Sequence, residues 1–157
     1  MRRAGGVGLG LLLGVAGMAG CASMGGREQA PMAATGAPSL YQRLGGRDGI
    51  ALVVDDFAGF LVADDRVNGR FKPLKPADVA RLKSNLSDQV CEASGGPCAY
   101  LGRDMKTTHR GLGIAEAEWD ATVEDLVKAL DKRKVGEPEK AELIRLLAPM
   151  KPDIVGQ

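Results

Sequence analysis

Residues 95–113 read GGPCAYLGRDMKTTHRGLG, with five glycines, one proline and the only histidine of the chain, His109. Connections in small domains are short, so a stretch this long is either functional or structureless. Its centre, Arg103 to His109, has room for one or two helical turns, with glycine on both sides. On the N-terminal side, Val79, Leu82, Leu86 and Val90 recur on one helical face, behind a Pro76 that suits a first turn. On the C-terminal side, Trp119, Thr122, Val123, Leu126 and Leu130 do the same. That stripe ends in Lys132-Arg133-Lys134, cations that complement a helix C-terminus. Further out, Ile50, Val53, Val54, Phe57 and Leu61 form another stripe, with Asp48 as the expected N-cap and Asp64-Asp65 as its close. Leu143, Leu146, Leu147 and Met150 form a fourth, led by Pro138 and ended or kinked at Pro149. Nothing alternates with period two. The expected fold is all-α, with four main helices and short extra turns.

The chain of 157 residues carries a net charge of +1, with 45% hydrophobic and 26% charged residues. That is ordinary globular usage, and it excludes a largely disordered chain. A balanced charge gives no broad cationic face for nucleic acid. The first residues read as an address. Arg2-Arg3 precede an uncharged stretch from Ala4 to Met18 centred on Leu11-Leu12-Leu13, then the small Ala19-Gly20. Six glycines between Gly5 and Gly17 argue against a membrane-spanning helix, which needs ~20 strongly apolar residues. Met18-Ala19-Gly20-Cys21 resembles a bacterial lipobox, with Met where Leu is usual. Cleavage before Cys21 and lipid on that cysteine would follow, and would place the protein across the inner membrane as an anchored lipoprotein, on the periplasmic side. A plain cleaved signal is the alternative. Loss of residues 1–20 takes two arginines from 21 basic residues against 20 acidic ones, leaving a net charge of −1. Residues 21–38 read as a flexible tether, and the folded part runs from Ser39 to Gln157, 119 residues holding all six aromatics.

Cys91 and Cys98 lie seven apart. Outside the cytoplasm such a pair is a candidate disulfide, with two free thiols as the alternative. It would clip the end of the second stripe to the loop that leads to His109. A Cys-x₆-Cys zinc half-site has no further ligands to complete it.

His109 has two readings. A lone histidine is commonly a surface or core side chain. One imidazole also suffices as the axial ligand of haem, a group that brings most of its own ligands and needs apolar walls. Met105 lies on the same helical face, four residues earlier. Leu112 and Ile114 follow, and Leu82, Leu86, Phe57 and Phe71 are available as the opposite wall.

Further motifs then bear on the choice. They are Ser39–Ile50 (SLYQRLGGRDGI), Val53–Phe57 (VVDDF), Ala63-Asp64-Asp65, Gly95-Gly96-Pro97, Tyr100–His109, Arg110–Ile114 and Ala148-Pro149-Met150. Taken in order and spacing, the stretch from Ser39 to Val155 resembles a group I truncated haemoglobin. The resemblance implies a truncated globin-like two-over-two helical sandwich around haem b. It carries the proximal iron ligand onto His109 and the aromatic at the haem edge onto Phe71. It places Phe57, Leu82, Leu86, Tyr100, Met105, Ile114 and Trp119 around the haem. Val53, Leu126, Leu143 and Leu147 are left as plain core.

The chain also departs from that family. Many members carry a tyrosine after the Asp-Phe pair, where this chain has Ala58, and the positions that often hold glutamine match Leu82 and Leu86. The expected distal pocket is therefore apolar. A hydrogen-bond donor would hold the partial negative charge of bound dioxygen, so its loss implies fast release and easier autoxidation. Gln89, two turns past Leu82, is the nearest substitute donor, with a solvent-facing amide as the alternative reading. With one histidine, a five-coordinate ferrous iron is expected. The implied function is reversible binding of oxygen or another diatomic gas (O2, NO, CO), with an unidentified electron donor to keep the iron ferrous. The alternatives are a haem-dependent nitric oxide dioxygenase, a peroxidase-like enzyme or a non-haem helical lipoprotein that binds a partner. A peroxidase wants a distal acid–base group, and an apolar wall supplies none.

Overall fold

Helix α1 (Leu40–Arg43) starts at a capping box, in which the Ser39 hydroxyl accepts from Gln42 N–H and the Gln42 side chain accepts from Ser39 N–H. The chain is described by a computed structural model over residues 36–157. The expected signal (1–20), Cys21 and the tether up to residue 35 lie outside the described residues. After α1 the backbone turns sharply through Gly45, whose φ of 85° is closed to most side chains. That turn starts α2 (Gly46–Ala63) earlier than expected. Gly45 takes the N-cap position, and Asp48 sits inside the first turn, where its charge still favours the helix dipole. Asp64 closes the helix, as its C-cap.

A 3-10 turn (Asn68–Arg70) leads to α3 (Pro76–Ala93), which has proline in its first turn. The long loop then yields only α4 (Met105–His109), followed by α5 (Glu116–Lys132) and α6 (Glu137–Leu147). At Ala148-Pro149 the last helix changes to a 3-10 turn (Ala148–Asp153), because proline cannot donate the next α-helical bond. No strand forms among the described residues; Ile114 and Val155 make one isolated parallel bridge. No helix among these residues is long and apolar enough to cross a membrane.

The four long helices are α2, α3, α5 and α6. Helix α2 packs on both α3 and α5, and α6 also touches α3 and α5. This all-α arrangement agrees with the two-over-two helical sandwich that the resemblance implied. Ile50, Val53, Val54, Leu130 and Leu143 are buried where the helices meet. Arg43 ties α1 to α6 through Glu139 at 2.7 Å and through Glu142.

Cys91, fully buried at the end of α3, is disulfide-bonded to Cys98, with the Cα atoms 5.8 Å apart. Gly96 lies inside the loop so closed. A Cβ there would come within 2.5 Å of the Tyr41 ring and 2.6 Å of Cys91 Sγ, so only glycine fits. Closing so short a loop constrains the unfolded chain by ~2–3 kcal/mol. The bond anchors the start of the segment that ends at His109.

Candidate functional site

A cavity of about 520 Å³ opens between α2, α3, α4, α5, α6 and the C-terminal turn. That is within the usual range of about 300–1,000 Å³ for small-molecule and cofactor sites. Phe57 and Leu61 of α2, Leu82 and Leu86 of α3, and Trp119, Val123 and Leu126 of α5 line it, with Phe71 and Ile114 from the loops. Most of the lining is hydrophobic. Phe71, Leu82, Leu86, Ile114 and Trp119 are only half-buried, although each faces this space. A closed core would have covered them. Large apolar side chains gathered around an open concave space are the mark of a ligand site.

His109 and Met105 enter the cavity from α4. The Asp104 side chain caps this helix by accepting from Thr107 N–H at 2.8 Å. His109 Nδ1 lies 2.7 Å from the carbonyl oxygen of Met105. A carbonyl only accepts, so Nδ1 carries the proton and neutral Nε2 keeps its lone pair. A hydrogen bond of this kind fixes both the tautomer and the ring orientation of metal-binding histidines. Among the described residues no cluster of three or more His, Cys, Asp or Glu side chains is built to hold a metal ion. The site therefore offers one nitrogen donor and apolar walls. That donor set fits a planar macrocycle that supplies the remaining ligands itself.

Other expected site residues fall differently. Tyr100 does not line this cavity. Its hydroxyl donates to the Arg103 carbonyl at 2.8 Å, a local bond that turns the ring into a neighbouring cavity of about 240 Å³. Burial there pushes the phenol above its ordinary pKa. Ala58 is buried in α2 and does not reach the main cavity, as a methyl group is too short to do so. Gln89 does line it, but its amide Nε2 donates to Met150 Sδ at 3.1 Å and lies 3.5 Å from Met105 Sδ. The side chain is thus turned toward α4 and the C-terminal turn, and not freely into solvent. Leu126 and Leu147, expected as plain core, also face the cavity, whereas Val53 and Leu143 do not.

Several wall residues escaped the sequence reading. Leu61 and Met150 lie on apolar stripes, and their periodicity marked them only as apolar, not as cavity-facing. Arg70 and Glu118 carried no signal. In the structure Arg70 Nε and Nη2 grip both carboxylate oxygens of Glu118 at 2.7 and 2.9 Å, on the cavity wall. The guanidinium bond holds the Glu118 carboxyl below the usual carboxylate range, and the same bond raises Arg70.

Residues 39–155 match the bacterial-like globin family. The chain is 31% identical over 116 residues to the group 1 truncated haemoglobin of Mycolicibacterium paratuberculosis, covering 74% of this chain and 83% of that one. It is 32% identical over 105 residues to the group 1 truncated haemoglobin of Synechocystis sp., covering 64% of this chain and 81% of the relative. Among solved structures, the Fe(III) form of truncated haemoglobin from Tetrahymena pyriformis superposes with a TM-score of 0.71 at 26% identity, over 76% of this chain and all of that one. The 2/2 haemoglobin of Synechococcus sp., solved in the cyanomet state with covalently attached haem, gives 0.69 at 28% identity, over 76% of this chain and all of that one. A helical sandwich closed around an apolar cavity with one imidazole thus agrees with the matched sequence: the chain belongs to the bacterial-like globin family, as a group 1 truncated haemoglobin with haem iron as its cofactor.

Proposed function

We propose that His109 is the protein ligand of the haem iron, and that the protein binds diatomic gases there on an extracytoplasmic membrane face, held by lipid on Cys21. The observation that carries the ligand assignment is the bond from His109 Nδ1 to the Met105 carbonyl, which leaves Nε2 free on the cavity wall. The haem iron supplies the binding position for the gas. The chain's own residues fix the imidazole, exclude water with Phe57, Phe71, Leu82, Leu86, Ile114 and Trp119, and keep charge off most of the wall. Return of oxidised iron to the ferrous state falls to a separate electron donor.

Absorption spectra of the purified protein in ferric, ferrous and ferrous-CO states test this reading. The expected ferrous spectrum is five-coordinate and high-spin, because no second histidine exists in the chain. A six-coordinate, low-spin ferrous spectrum without added ligand would overturn it.

Export is supported by the charged and apolar layout of residues 1–20 and by the Cys91–Cys98 disulfide, which suits an oxidising compartment. Fractionation of cells checks the anchor. Wild-type protein should sediment with membranes, and Cys21→Ser should move it to the soluble extracytoplasmic fraction. Wild-type protein found in the cytosol would end this part of the proposal.

A further inference from the structure

Helix α4 has only five residues. A helix so short is not held by its own hydrogen bonds, so the direction of the His109 ring depends on what grips its two ends. Asp104 grips the N-terminal end. Beyond His109 the chain leaves the helix at once, with Arg110 at φ −56°, ψ 128°. Gly111 and Gly113 follow, both at positive φ, on either side of Leu112. Such a linker has little stiffness of its own.

The C-terminal end of the chain holds the linker's far side, where Gly113 N–H donates to the Gln157 carbonyl at 2.7 Å, and Arg70 holds the part next to His109. Arg70 Nη1 donates to the Leu112 carbonyl at 2.8 Å, while Leu112 N–H donates to the carbonyl of His109 itself at 3.0 Å. The same guanidinium holds Glu118 with its other two nitrogens, and Glu118 Oε2 accepts from Ala115 N–H at 2.9 Å, just before α5 begins. One planar side chain therefore links the carbonyl of His109, through Leu112, to the first turn of α5. Both members of the ion pair line the cavity and are about a quarter to a third exposed, 31% for Arg70 and 24% for Glu118. A bidentate guanidinium–carboxylate pair fixes direction as well as distance. Lysine has no planar fork and cannot make all three bonds in this geometry.

We propose that Arg70, locked by Glu118, is a positioning residue for His109: it sets the orientation in which the imidazole meets the iron. The proposal rests on His109 as the ligand.

Resonance Raman spectra of the deoxygenated ferrous protein read the iron–imidazole stretch, and haem transfer to excess apomyoglobin reads retention. Arg70→Met and Glu118→Gln should each shift or split the stretching band and speed haem transfer by ~10–100-fold, the usual cost of losing a partner that orients a metal ligand. Arg70→Lys should recover little of either. Arg66→Met is the control. Arg66 crosses to α5 in the same way, pairing with Asp64 and Glu124, without a bond to the His109 loop. It should leave the band in place. A band unmoved in Arg70→Met, with haem transfer no faster than in Arg66→Met, makes the pair a plain stabilising contact and overturns the proposal. Should Arg70→Met not fold, the near-isosteric Glu118→Gln decides by the same two readings. A wild-type protein without an iron–imidazole band would overturn the His109 assignment itself.

Discussion

In His109→Gly the Soret band should collapse toward that of free haem, and imidazole added to the solution should restore it. The expected loss of haem affinity is at least ~100-fold, the upper end of what removing even an outer-shell partner of a metal ligand costs. The argument starts from counting. His109 is the only imidazole in 157 residues, so no neighbour can take its place without rearrangement. Lys83 is held by Asp55 at 3.0 Å, and Met105 has its sulfur 3.5 Å from the Gln89 amide. Glycine removes the ring and leaves room for a soluble imidazole of the same shape. Rescue then separates loss of the ligand from collapse of the pocket. A variant that holds haem with an unchanged ferrous spectrum would sink the ligand assignment. One that loses haem and ignores imidazole would show that the pocket fell apart. Thermal unfolding of the apoprotein, equal in wild type and variant, excludes that second outcome independently.

The four long helices were legible because each shows its apolar face at helical spacing, and Pro76 and Pro149 mark real boundaries. The walls were legible where they coincide with those faces, and His109 stood out as the lone imidazole of the long loop. Leu82 and Leu86 lie on the α3 stripe, so a wall could be read from them. Tyr100, which the resemblance placed at the haem, lies elsewhere because a hydrogen bond to the Arg103 carbonyl, three residues along, decides where its ring goes, and a motif match carries no trace of such a bond. The Asp48 cap failed for a similar reason, since a positive φ at Gly45 moved the helix start. Arg70 was invisible for the opposite reason. Its meaning lies in Glu118, 48 residues away, and in a carbonyl rather than any side chain. Local pattern reports what each segment buries, and it cannot report which distant backbone atoms a charged group will meet.

Leu86→Gln should slow oxygen release by ten-fold or more while leaving carbon monoxide release nearly unchanged. The wild-type wall has few donors to offer. Arg70 is spent on Glu118 and Leu112, Gln89 on the methionine sulfurs, and Thr122 Oγ1 on the Glu118 carbonyl at 2.8 Å. Asp120 and Glu124, when ionised, only accept. The indole N–H of Trp119 is the remaining side-chain donor on the wall besides His109. Wild-type protein should accordingly release oxygen fast. Glutamine at position 86 is close to leucine in volume, so the pocket keeps its shape and gains one amide donor. A hydrogen bond to a group with developed charge is worth ~1.5–3 kcal/mol, and each 1.4 kcal/mol is ten-fold in an equilibrium constant. Bound carbon monoxide is less polar and gains less, so it serves as the internal reference for any change in pocket access. Stopped-flow dissociation with both gases makes the measurement. Equal slowing of both gases would mean that the glutamine blocks the exit and does not bond the ligand. Slow oxygen release in the wild type, lost in Trp119→Phe, would place the donor on α5 and overturn the apolar-wall reading, because the indole would then already be doing what the missing tyrosine and glutamines do elsewhere in the family.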